Sequence, residues 1–351
     1  MTREVEPSLH DIADAAVELA ELRNTADDIL TRMWSPSHTR ALLDLPGPAF
    51  DDDLWKAVVE LGWADVLVDE SRGGGGGGLR ELCVLAEASG AAALPVPLAD
   101  SAAANWCEER CTSGVAVILG DAEAVLSGDE VTGRWSLVSF AGVADRLLVI
   151  ARRGVESVLG VVDAKGPGVR TEPERPLDHS PTATVTLDGA PLRPLASGTD
   201  AVRRHHDAMS RARLATVAEL IGIASAANDA AVEYAKMRVT FGQPIGARQA
   251  IKHRLVDQRC AIEVARALVN RAADACELEH PDRDALVSLA AFWAIDSLRR
   301  VPEGATQVFG GIAYTWEHDA HVHLRRAATR VATLGSRAQH RAVVTEWIRT
   351  R

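Results

Sequence analysis

The stretch Tyr234-Ala-Lys-Met-Arg238-Val-Thr-Phe241-Gly242-Gln-Pro244-Ile245-Gly246, continuing as Gln249-Ala-Ile-Lys-His253, decides how the rest of the chain is read. Apolar and alanine residues at helical spacing precede it, so Arg238 falls at the end of a long helix. Phe241-Gly242 then opens a turn, for which glycine is suited. An arginine at such a corner presents a planar, permanently charged fork that fits a phosphate. Phe241 offers an apolar face to an aromatic ring. Farther on, Gln307-Val-Phe-Gly310-Gly311-Ile-Ala-Tyr314-Thr315 carries a glycine pair. Without a Cβ in the way, backbone N–H groups there can approach an anion. Plainer readings stand beside these: Arg238 as a solvated helix-end cation, Phe241 as core, Gln249 and Gln307 as helix-face amides, Gly310-Gly311 as a tight turn only.

Outward from these segments the chain falls into three zones. Ala208–Val239, Pro244–Glu277, Asp282–Val301 and a final stretch from about Asp319 read as four long helices, enough for a bundle. From about Asp100 to Gly198, short apolar runs alternate with Gly, Asp and Pro: Val115–Leu119, Trp135–Phe140, Arg146–Ala151, Val158–Val162 and Thr182–Leu187. That spacing suggests a small β-barrel or sandwich, with Gly189–Thr199 as a linker. Residues 8–92 are helical in pattern, with Ile12, Ala15, Val17, Leu19 and Leu22 near helical spacing. Gly73–Gly78 interrupts this zone, and Pro95 and Pro97 end it.

Composition bounds the function. With 351 residues, 47% hydrophobic and 25% charged, the chain has a globular profile and length for two or three domains. Aromatics are only 4%, so Ala, Leu, Val and Ile must fill the core. A net charge of −11 without a Lys/Arg stripe argues against nucleic acid. Five scattered cysteines without a C-x-x-C pair read as reduced cytosolic thiols. Met1–Val17 has no basic start, and no stretch approaches the roughly 20 apolar residues of a membrane helix. A cytoplasmic protein is expected.

The two quoted segments resemble signatures of the acyl-CoA dehydrogenase family, Tyr…Arg-x-x-Phe-Gly-x-Pro-Ile-Gly and Gln-x-x-Gly-Gly-x-Gly-Tyr/Phe-Thr. The likeness covers nearly the whole chain and is strongest from 212 to 336. It implies a mixed, mainly α fold: an N-terminal helical domain (1–98), a middle β-barrel domain (99–198) and a C-terminal four-helix bundle (199–351). It further implies FAD as cofactor and acyl-CoA as substrate. Arg238, Phe241, Gln249, Gln307 and Gly311, with Gly310, would then serve the flavin of a neighbouring subunit in trans.

Family members remove the α-proton of the acyl-CoA with a glutamate while the flavin takes a hydride from the β-carbon. Counting from Gly311 puts Leu334 at one expected glutamate position. Counting back from Arg238 puts Ala212 at the other. Neither can take a proton, and Glu219 is the nearest carboxylate on the same helix. Between Pro97 and Glu130 the chain also lacks the Gly-Ser-Asp-like loop that holds the flavin in cis. The chain therefore resembles the shorter, non-catalytic subunit of heterotetrameric bacterial enzymes of steroid side-chain type. A larger catalytic subunit, in an α2β2 assembly, would share its FAD with this chain. Alternatives are a self-sufficient homotetramer with Glu219 as displaced base, and a scaffold or flavin monooxygenase of the same fold.

Four further features have simple readings. Gly73–Gly78 lacks the Gly-Lys-Ser/Thr of a phosphate loop and reads as a flexible connection. His318, His321 and His323 read as capping and packing residues rather than metal ligands. Asp319 is a candidate N-cap. Arg325-Arg326 reads as solvated or interface charge, with a phosphate of CoA or FAD as the alternative.

Overall fold

The computed structural model describes residues 9–120 and 123–351, with side chains from residue 16 onward. Ile12 and Ala15 of the N-terminal stripe, and most of Met1–Val17, lie outside the described side chains. Five helices open the chain: α1 (Leu9–Met33), α2 (Pro36–Leu43), α3 (Asp52–Glu60), α4 (Leu79–Ala91) and α5 (Leu98–Glu108). Local chemistry starts them. Asp51 accepts the Leu54 N–H at the head of α3, and Glu81 accepts the Gly78 N–H at the head of α4.

The Gly73–Gly78 run is not a flexible connection. Gly74, Gly75, Gly76 and Gly77 donate to the carbonyls of Asp69, Asp65, Val68 and Val66. A Cβ at Gly74 would stand 2.1 Å from the Val68 carbonyl oxygen. Glycine is needed there for close backbone approach, which a composition reading mistakes for looseness.

The middle strands are β1 (Ala116–Ile118), β2 (Val125–Ser127), β3 (Glu130–Val138), β4 (Arg146–Arg153), β5 (Glu156–Asp163), β6 (Val169–Pro173), β7 (Ala183–Pro191) and β8 (Arg193–Ser197). The barrel expected here takes the form of one sheet in the order β6-β7-β3-β2-β4-β5-β8, with β1 parallel to β4. Gly189–Thr199 is therefore not a linker. Pro191 is the last residue of β7, and Pro194 is tolerated because β8 is an end strand, paired with β5.

The 40-residue α6 (Gly198–Met237) is the axis of the molecule. It begins ten residues before the apolar pattern, because the polar His205 and Asp207 are buried in it. A two-strand hairpin, β9 (Val239–Thr240) and β10 (Gln243–Pro244), leads to α7 (Gln249–Glu277). The third helix runs as α8 (Arg283–Trp293), a π turn at Ala294–Leu298 and α9 (Arg300–Phe309). Pro302 does not end it as expected, since a first helical turn needs no N–H there. The last stretch is two helices, α10 (Ala320–Thr333) and α11 (Arg337–Arg349). Gly335 at φ +92 makes the corner, and Ser336 and Gln339 form a reciprocal cap. Among the described residues no helix is long and apolar enough to cross a membrane.

Candidate functional site

The two signature segments meet at one end of α6. Ala231 and Ala235 of α6, Leu255 of α7 and Ala305, Val308 and Phe309 of α9 form one buried cluster. The Tyr234 and Phe309 rings meet edge to face at 5.3 Å. Gly246 lets the hairpin lie on α6, for a Cβ there would reach 3.0 Å from the Ala235 carbonyl. Arg238 caps α6, its N–H donating to the Tyr234 carbonyl at 2.8 Å. Among the described residues its guanidinium has no hydrogen-bond or ion-pair partner.

Phe241 and Gly242 form the hairpin turn at φ +51 and +80. Phe241 is 96% exposed, so the core reading of it is excluded. The Arg248 guanidinium sits 5.4 Å from its ring centre. Gln249, Gln307 and Gly311 are also exposed. The Gly310 N–H is spent on the Thr306 carbonyl, but nothing within 4 Å would meet a Cβ at Gly310 or Gly311. This end of the molecule thus offers a free cation, an open glycine pair and apolar surface at Met237, Val239, Phe241, Ile312 and Tyr314.

A second site lies 20 or more residues back along α6. A cavity of about 510 Å3 opens between α5, α6, β1, β3 and the α10–α11 corner. Both vacated glutamate positions, Ala212 and Leu334, line it. The wall is held by polar contacts: Trp135 Nε1 donates to the Gly120 carbonyl at 2.9 Å, and His340 Nε2 meets the Leu334 carbonyl at 2.8 Å. Asp100, Arg134, Ser139, Arg213 and Thr216 bring polar groups to the same wall.

Glu219 is neither solvent-exposed nor partner-facing. It is 5% exposed and lies between two buried arginines, with Oε2 accepting from Arg330 Nε at 2.9 Å and Oε1 2.6 Å from Arg326 Nη2. Asp178 completes the group at 3.7 Å from Arg326. Arg326 is 3% exposed, which corrects its reading as a solvated or interface charge. Arg325 donates to the Leu177 carbonyl at 3.1 Å and faces the Trp316 ring.

Asp100, which motif reading missed, is the carboxyl that lines the cavity among the described residues. Burial pushes it up to about 6, with Arg330 pulling down and Glu219 pushing up. The signal available was one acid inside the run Leu98-Ala-Asp100-Ser-Ala-Ala-Ala.

The histidines point to three places. His318 Nδ1 accepts the Ala320 N–H, His321 Nε2 meets the Trp316 carbonyl, and His323 Nε2 meets the Ala91 carbonyl. His318 thereby replaces Asp319 at the head of α10, since the Asp319 carboxylate makes no cap bond and pairs with Arg40. Among the described residues no three His, Cys, Asp or Glu side chains are arranged to hold a metal.

Comparison with known proteins places these features in context. Residues 201–348 match the family described as acyl-CoA dehydrogenase, C-terminal domain, and residues 17–110 match acyl-CoA dehydrogenase, N-terminal domain. The chain is 31% identical over 320 residues to acyl-CoA dehydrogenase IpdE2 of Mycobacterium tuberculosis, covering 87% of this chain and 89% of that one. It is 33% identical over 289 residues to acyl-CoA dehydrogenase FadE34 of the same organism, but spans only 40% of that protein's length. Among solved structures, a variant of the Tcur3481-Tcur3483 steroid ACAD superposes with a TM-score of 0.85 at 27% identity, covering 95% of this chain and 98% of that one. A chain of the ChsE4-ChsE5 complex from Mycobacterium tuberculosis has the same fold, with a TM-score of 0.84 at 23% identity over 95% of this chain and 97% of that one.

Proposed function

The chain belongs to the acyl-CoA dehydrogenase family, and from that premise we propose that it is the flavin-completing, non-catalytic subunit of a heteromeric acyl-CoA dehydrogenase. A larger catalytic partner supplies the family's glutamate, in an α2β2 assembly that works in the cytoplasm. The observation that carries this reading is the exposed end of α6. Arg238, without a side-chain partner among the described residues, and a 96% exposed Phe241 stand beside the open glycine pair, within an apolar surface of a kind that marks contact sites. The residues present fit FAD: a free guanidinium suits its pyrophosphate, and an exposed aromatic face suits its adenine.

When bound, the flavin supplies the hydride acceptor for dehydrogenation. Arg238 holds a phosphate, Phe241 packs on the ring system, and Gln249 and Gln307 offer amides to polar edges. Gly311 leaves the backbone open to close approach. Likeness to the Tcur3481-Tcur3483 steroid ACAD supports a partner subunit and a bulky, steroid-derived acyl-CoA as the substrate class. Glu219 as a displaced base is disfavoured by its position, since both its oxygens face buried arginines.

The test is flavin content and acyl-CoA oxidation of this chain purified alone and co-expressed with a larger homologue encoded beside it. A colourless, inactive chain that yields an active complex with one FAD per two chains is the expected result. A yellow, active solo protein with one FAD per chain overturns the reading in favour of a self-sufficient homotetramer. A flavin-free complex would leave a scaffold.

A further inference from the structure

A second cavity has a different chemistry. It lies where α2, α4, α6, α9 and α10 meet, with a volume of about 270 Å3, and it shares no lining residue with the cavity of Ala212 and Leu334. Alanines make it. Ala91 of α4, Ala226, Ala227 and Ala230 of α6, Ala305 of α9 and Ala320 of α10 are too short to fill the space between their helices. Pro36, Pro302 and Phe309 complete the apolar lining.

Three polar side chains share the wall, and two of them are engaged. Asp319 pairs with Arg40, which cancels its charge. Burial pushes His323 down, so its ring is neutral and Nε2 donates to the Ala91 carbonyl at 3.1 Å. His318 is the third. Its Nδ1 accepts the Ala320 N–H at 3.1 Å, so the proton of the neutral ring sits on Nε2. That N–H has no hydrogen-bond partner among the described residues. The His318 ring packs on Phe309, with centroids 4.5 Å apart, and Phe309 in turn meets Tyr234.

An ordered water needs two to four polar partners, whereas the lining side chains leave one donor open. An apolar protein cavity of about 150 Å3 already holds benzene. The larger volume here has room for a ring and a short substituent. Phe309 gives such a ring an aromatic neighbour to meet edge to face or offset. A charged ligand is disfavoured, since the lining offers it no unpaired counter-charge.

We infer that this cavity is a binding site for a small, neutral aromatic molecule with one carbonyl-type acceptor. The oxygen accepts from His318 Nε2, and the ring lies among the alanines. The inference stands apart from the flavin and acyl-CoA reading, because it uses none of those residues.

The probes are acetophenone and 2-phenylpropene, which share a shape while only the first carries an acceptor. Titration calorimetry and ligand-observed NMR on the full chain read their binding. Acetophenone is expected to bind about two- to tenfold more tightly, the worth of one neutral hydrogen bond. Ala226→Leu fills the space and should remove binding of both. His318→Ser keeps a hydroxyl that can cap α10 but loses the ring N–H, and should bring the two affinities together. No binding of either probe by the wild-type chain, or binding that Ala226→Leu leaves unchanged, overturns the site. Equal affinities in the wild-type chain overturn the ligand class and the role of His318. Should Ala226→Leu not fold, His318→Ser decides, and a preference for acetophenone that survives there is fatal to the proposal.

Discussion

Phe241 occupies a left-handed backbone position at φ +51, which costs a bulky residue about 1–2 kcal/mol. It is also almost wholly in water. Strain held at an exposed aromatic points to a ring with something to cover. Arg238 beside it completes the argument. Replacing it with alanine in the complex should weaken FAD retention by on the order of 1.5–3 kcal/mol, the worth of one charge-assisted hydrogen bond. Flavin absorbance per complex after gel filtration reads this, and unchanged occupancy would sink the trans role.

Asp100 carries a different residue-scale prediction. Its folded carboxyl titrates above the ordinary aspartate value, so the native state holds a proton that the unfolded chain gives up at lower pH. Its contribution to stability is fully present below about 4 and is lost as pH rises through about 6. Asp100→Asn should therefore raise the melting temperature at pH 7–8 relative to wild type and change it little near pH 4. Thermal melts across that range check the sign. A variant less stable than wild type at neutral pH would mean that the attraction of Arg330 outweighs the cost of burying the charge.

Among the elements, the α4–α6 crossing sets how near the N-terminal helices come to the bundle. A Cβ at Gly222 would lie 1.9 Å from the Glu87 carbonyl oxygen, and one at Gly90 2.0 Å from that of Glu219. The two glycines let backbone meet backbone, and no side-chain shift relieves an added methyl. Gly222→Ala should cost about 1–3 kcal/mol or more, read from the denaturation midpoint. An unchanged midpoint would show that the helices can separate freely. Helix type and most strands were legible from periodicity. Their ends were not, where polar residues are buried, as with His205 and Asp207 in α6, or where a cap interrupts, as at Ser336. The β8 strand was hidden by Pro194, which an end strand accepts and a central one would not.

At the scale of the molecule, the Glu219, Arg326, Arg330 and Asp178 group ties α6, α10 and the sheet together behind the cavity. Glu219→Gln removes the charge that balances two buried arginines. It should destabilise the chain by about 3–5 kcal/mol, seen as a lower unfolding midpoint. An unperturbed midpoint with lost turnover would instead restore Glu219 as a base. The flavin-facing segments were readable in one dimension because each is short and contiguous, and its residue types name their chemistry at fixed spacing. The order of helices and strands followed likewise from local periodicity, and the vacancies at Ala212 and Leu334 from counting. Only the tertiary structure could show that those two positions, far apart in the chain, share one cavity with Asp100. It alone could show that Glu219 is enclosed by arginines, because burial and charge balance arise from residues on different elements that local sequence does not bring together.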